Sequence, residues 1–135
     1  MLVLDEKLWV SDKILKVTSS SDWSEPDTDI MLNCCLERVK ELISECIGNN
    51  TRCILLLHCT SGEVPSFYYF TKIFSFLFGI RDIINKGVEF SVIYGEKDSI
   101  GNVLPNILKI YQPTRPLHLA YTKEELKAFL KNREK

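Results

Sequence analysis

Residues 52–59 read Arg52-Cys53-Ile54-Leu55-Leu56-Leu57-His58-Cys59, an apolar run that does not alternate with polar side chains. A strand with one wet face alternates at period two, whereas a continuous run of this length belongs to a strand covered on both faces. Such a strand sits in the middle of its sheet. A polar loop, Thr60–Ser66, follows at once, and after it comes a long aromatic stretch with helical content. The segment therefore predicts an α/β layer structure built around itself.

The flanking sequence supplies the other layers. Leu2–Val10 and Lys13–Thr18 read as short strands joined at Ser11-Asp12, a hairpin with apolar Leu8, Val10, Ile14 and Val17. Ser19–Asp27 is a polar loop by composition. From Thr28 to Ile47, residues Leu32, Cys35, Leu36, Val39, Leu42, Ile43 and Cys46 recur at intervals of three and four, one stripe of a helix. Asp27, Thr28 or Asp29 is placed to cap it, and Gly48-Asn49-Asn50 to end it. A second helix is expected over Ser66–Lys86 with Gly87 at its boundary, then an alternating strand over Val88–Tyr94. Val103–Tyr111 reads as a helix with Pro105 in its first turn, and Leu117–Tyr121 as a last strand. Thr122-Lys123-Glu124-Glu125 is a capping box opening a final helix with Leu126, Phe129 and Leu130 inward. The order β-β-α-β-α-β-α-β-α predicts one α/β domain over residues 1–135. It would hold a single mixed, mostly parallel sheet with an N-terminal hairpin and about four helices on right-handed crossovers.

Composition narrows the function classes. The 135 residues suit one core, and 17 Lys+Arg against 18 Asp+Glu leave a net charge of −1. That balance lacks the basic footprint of a nucleic-acid binder, so no nucleic-acid partner is expected. The charge is uneven: residues 1–67 hold 6 basic and 11 acidic side chains, residues 68–135 hold 11 and 7. Charge appears at Asp5, so no signal-peptide core is expected, and Phe67–Ile84 is interrupted by Lys72, Arg81 and Asp82. It falls short of the roughly 20 apolar residues of a membrane span. Cys34, Cys35, Cys46, Cys53 and Cys59 are odd in number, and two are adjacent. They predict reduced thiols and a cytoplasmic location. No Cys/His spacing suits zinc, and neither a metal nor a cofactor is expected.

The chemically suggestive stretch is Leu57-His58-Cys59-Thr60-Ser61-Gly62-Glu63-Val64-Pro65-Ser66. It resembles the His-Cys-x5-Arg-Ser/Thr loop of cysteine-dependent phosphatases, in which a thiolate attacks phosphorus while backbone N–H groups and an arginine hold the oxygens. Pro65 stands at the arginine's position and brings neither a guanidinium fork nor an N–H. Phosphoryl transfer rests on positioning and charge stabilisation, so the resemblance implies an inactive relative. Read by itself, Cys59 is a small apolar residue ending a core strand, and His58 a hydrogen-bonding neighbour.

Element order and spacing over nearly the whole chain resemble a STAS domain, the fold of anti-sigma-factor antagonists and related regulatory phosphoproteins. The closing pattern Leu117-His118-Leu119-Ala120-Tyr121-Thr122-Lys123-Glu124-Glu125-Leu126 is similar to that family's last strand and capped helix. The resemblance implies a regulatory protein-binding role, without catalysis, switched by phosphorylation in the loop after the third strand. Thr60, Ser61 and Ser66 are the candidates there, with Cys59 where the family carries Asp or Asn. A phosphate would add about −1.5 to −2 charges, which Glu63 would oppose. Their ordinary role is N-capping and turn formation. CRAL-TRIO lipid-binding domains share part of this architecture, which keeps a lipid ligand as an alternative.

Phe67, Tyr68, Tyr69, Phe70, Phe74, Phe76 and Phe78, with Ile73, Leu77 and Ile80, wrap most of the way round the second helix. A surface helix needs one apolar stripe. Either two layers bury this helix, or Tyr69, Phe76 and Ile80 on its outer side, with Glu63 in the preceding loop, meet a protein partner or a second copy of the chain.

Overall fold

The apolar run is the central strand of a five-stranded sheet with strand order β1-β2-β3-β4-β5. The computed structural model describes residues 2–9, 12–19, 27–59, 67–96, 100–101 and 104–132. β1 (Leu2–Trp9) and β2 (Asp12–Ser19) form the expected antiparallel hairpin, with Leu2 opposite Ser19 and Trp9 opposite Asp12. β3 (Cys53–Cys59), β4 (Val88–Tyr94) and β5 (Leu117–Ala120) then add in parallel, each beside its predecessor.

Because every parallel step moves in the same direction across the sheet, right-handed crossovers place all the connecting helices on one face. α1 (Thr28–Gly48) links β2 to β3. α2 (Phe67–Gly79) and α3 (Arg81–Gly87) link β3 to β4, and α4 (Leu104–Ile110) links β4 to β5. On this face Leu15, Cys53 and Val88 pack with Val39, Leu42, Ile43 and Cys46 of α1, and Cys59 and Ile93 with Phe70 and Phe74 of α2. The opposite face, with Ile14, Ile54, Leu56, Phe90, Val92 and Ala120, is covered by Leu126, Phe129 and Leu130 of α5 (Lys123–Asn132). β3 thus has helices over both faces, which is why its sequence does not alternate.

The caps follow from the local sequence. Asn50 at φ 56 adopts the left-handed conformation that Asn tolerates. It turns the chain so that Thr51 N–H reaches Cys46 O at 2.8 Å and Asn50 N–H reaches Ile47 O at 3.1 Å, closing α1. At the other end Asp27 holds the cap position without a side-chain bond of its own. Thr122 caps α5 as expected, its Oγ1 accepting from Glu125 N–H at 3.1 Å.

The expected single helix over Ser66–Lys86 is two helices, making five in all among the described residues. Ile80 N–H is shared between the carbonyls of Phe76 and Leu77 at 3.2 Å each, while Ile80 O accepts from Ile83 and Ile84 at 3.0 Å. Gly79 weakens the helix by about 1 kcal/mol at this point. The bend lets α3 lie on α1, where Gly87 comes so close that an added Cβ would stand 2.5 Å from Ile43 Cγ2.

A bulge opens β4. Its pairing with β3 jumps from Cys53↔Val88 to Ile54↔Phe90, leaving Glu89 extra, while β5 begins only opposite Ser91. Arg115 fills the missing strand's place, donating from Nε to Val88 O at 3.2 Å and from Nη2 to Glu89 O at 3.0 Å.

Candidate functional site

The C-terminal ends of parallel strands are where α/β sheets gather ligand-binding groups. Here β3 ends in His58 and Cys59, whose side chains, being consecutive, leave on opposite faces. Cys59 points to the face of the crossover helices, only 3% exposed, among Phe70, Phe74, Ile93 and Ile100. The end of β4 presses on it: a Cβ on Gly95 would lie 3.2 Å from Cys59 Cβ. Burial pushes the Cys59 thiol up to about 12, so the sulfur is protonated and poorly nucleophilic at neutral pH.

His58 faces the side of α5. Its ring is half-buried and stacks on Tyr94, with centroids 4.9 Å apart and planes 15° from parallel. Burial first, and the charge of Lys16 second, hold its imidazole below the usual value of 6.5. The residue is neutral at pH 7 and separated from Cys59 by the sheet.

Thr60, Ser61, Glu63, Pro65 and Ser66 lie outside the described residues. The aromatic helix is described from Phe67 onward, and its apolar wrap goes mainly into two layers. Phe70 and Phe74 enter the sheet-side cluster. Ile73 packs with Leu32 and Leu36 of α1, and half-buried Tyr69 and Phe76 lie against that group. Ile80 packs against the cluster of α1, α3 and the sheet. Lys72 ties the two helices at 3.4 Å from Asp29. Among the described side chains of α2, the aromatic ones with large exposed surface are Tyr68, 55% exposed, and Phe78, 43% exposed.

A feature the sequence did not reveal lies at the other end of α2. An apolar cavity of about 100 Å³ is enclosed by β3, β4, α2, α3 and the segment 111–117. Leu57, Phe74, Leu77, Ile84 and Ile93 line it together with exposed Phe78 and Arg81 and half-buried Tyr111 and Arg115. A second, smaller hollow of about 70 Å³, wholly apolar apart from Cys35, lies across the Ile73–Leu77 row, between α1, α2 and the sheet. The lining of the first cavity comes from five stretches of chain, and no single stretch carries a motif that would announce it.

Among the described residues no group of three His, Cys, Asp or Glu side chains is arranged to hold a metal ion, and no helix is long and apolar enough to cross a membrane. No family model matches the sequence, and no curated protein or solved structure is significantly similar to it, so the STAS resemblance stands on element order and spacing alone.

Proposed function

We propose that this chain is a non-catalytic interaction module for a protein partner, regulated at the segment that joins the central strand to the aromatic helix. The observation that supports it is the state of Cys59. The cysteine of the phosphatase-like segment is sealed in an apolar cluster as a thiol, with Gly95 packed against it and Pro65 in place of the arginine that would hold a phosphate. Phosphorylation of Thr60, Ser61 or Ser66, in the manner of STAS regulators, would set about −1.5 to −2 charges beside α2 and alter recognition there. The apolar groups offered to a partner on that helix are Tyr68 and Phe78.

Turnover of 4-nitrophenyl phosphate by the wild-type chain and by Cys59→Ser tests the absence of catalysis. Neither is expected to exceed the buffer rate; turnover that Cys59→Ser abolishes would overturn the proposal. Alkylation by iodoacetamide under native conditions should label exposed Cys34 and spare Cys59 until denaturant is added. The regulatory part is tested by Thr60→Glu and Ser66→Glu, each expected to change the affinity of a partner captured by the wild-type chain.

A further inference from the structure

We propose that the cavity between the sheet, α2, α3 and the segment before β5 is a binding site for a compact apolar carboxylate, a single aromatic ring or short branched chain bearing one acid group. Interiors pack densely enough that voids beyond the size of a water molecule are few. This one has a volume of about 100 Å³ and an almost wholly apolar wall. An apolar hollow of roughly 150 Å³ stays dry and takes up benzene, while drug-sized ligands need roughly 300 Å³ or more, so size selects a small group and not a long acyl chain.

Charge selects the rest of the ligand. Two arginines, Arg81 and Arg115, are among the residues that line the cavity, and among the described residues no acidic one does. Arg81, at the start of α3, is held by the end of α2, with Nη1 donating to Phe78 O at 3.0 Å and the guanidinium 4.6 Å from the centre of the Phe78 ring. Arg115 is anchored on the carbonyls of Val88 and Glu89. Both thus spend donors on main-chain carbonyls, which leave their charge in place, and the planar fork of Arg81 suits a carboxylate. Phe78, edge-on to Tyr111 with ring centroids 6.1 Å apart, completes the rim above the ligand's apolar part. The site needs no covalent chemistry.

Titration of the full chain with benzoate, followed by amide chemical shifts in two-dimensional NMR, tests the proposal. Saturable shifts are expected at Leu57, Ile93, Thr114 and Leu117. Toluene, the same ring without the acid, should bind about tenfold more weakly, the usual scale of one charge-assisted hydrogen bond. Arg81→Gln should bring benzoate down to the level of toluene. Ser91→Leu, which fills the cavity from β4, should abolish both. Absence of saturable shifts at millimolar benzoate, shifts mapping elsewhere, or benzoate affinity unchanged in Arg81→Gln would each overturn it. Arg81 is exposed, so that variant decides the matter even if Ser91→Leu does not fold.

Discussion

The two faces of the sheet are covered in different ways. α1 to α4 are each tethered at both ends to a strand, so connectivity and crossover handedness dictate where they lie. α5 follows β5 through the Thr122 cap and packs on the other face. It places Phe129 flat on His118, with centroids 4.5 Å apart, beside the edge of Phe90. Both apolar hollows lie under the tethered helices. Helices whose positions are set by the chain meet imperfectly over a twisted sheet, and a bend such as Gly79–Ile80 is one way of accommodating them. The crossover face is therefore the place both for the main core and for a small cavity, while α5 is the helix that covers the opposite face among the described residues.

That contrast is broken most directly by mutating one anchor on each face. Phe70 is fully buried among Cys59, Ile93 and Ile100, and Phe70→Ala should cost about 3–5 kcal/mol in urea unfolding. Leu130→Ala on α5 should cost less, about 2–3 kcal/mol, because it removes a smaller side chain from the smaller cluster on this face. Equal losses would show that α5 is as constrained as the tethered helices. Next in size is Gly87→Ala. The new Cβ would meet Ile43 Cγ2 at 2.5 Å and Ile47 Cγ1 at 3.0 Å, an overpacking that should cost about 1–3 kcal/mol. Pairing it with Ile43→Ala should recover part of that loss, the sign of direct contact in a double-mutant cycle.

These anchors also mark how far the sequence could be read. The run Cys53–Cys59 placed β3 at the centre, the alternation of Val88–Tyr94 gave β4, and Thr122-x-x-Glu125 gave the start of α5. Each is a local pattern with one physical meaning. The break at Ile80 was missed because an apolar helix with a single Gly remains helical by periodicity, and its bend depends on the approach of Gly87 to Ile43, 44 residues away in sequence. The destination of the aromatic side chains was only half legible: the periodicity left burial on two sides and an outer contact surface both open, and the arrival of α1 and α3 beside α2 leaves Tyr69, Phe76 and Ile80 partly buried. Arg115 passed unnoticed in a helix-ending stretch because its partners are carbonyls exposed by a bulge 26 and 27 residues earlier.

Thr122→Ala sharpens the comparison on the docked side. It removes the oxygen that accepts from Glu125 N–H, together with the 3.3 Å bond from Thr122 Oγ1 to Glu125 Oε1. A cap of this kind is worth about 1 kcal/mol. If α5 opens independently of the crossover face, amide hydrogen exchange should quicken in α5 and stay unchanged in β3 and β4. Uniform acceleration would mean that the helix and the sheet unfold as one unit.

The smallest effect comes from pH, and it probes the edge of the α5 face. His58 is held below its usual value of 6.5 by burial and by Lys16, so the unfolded chain takes up a proton more readily than the folded one. The contribution of neutral His58 to stability is therefore fully present above pH 6.5. It is lost progressively as pH falls through 6.5 towards the lower folded-state value. Half-exposure and solvent screening keep this loss below that of the missing cap. His58→Phe retains an aromatic partner for Tyr94 without a titrating group, so its unfolding free energy should fall less between pH 7.5 and 5.5 than that of the wild type. Identical slopes for the two proteins would show that His58 protonates as freely in the fold as in water, and that the stack on Tyr94 does not shield it.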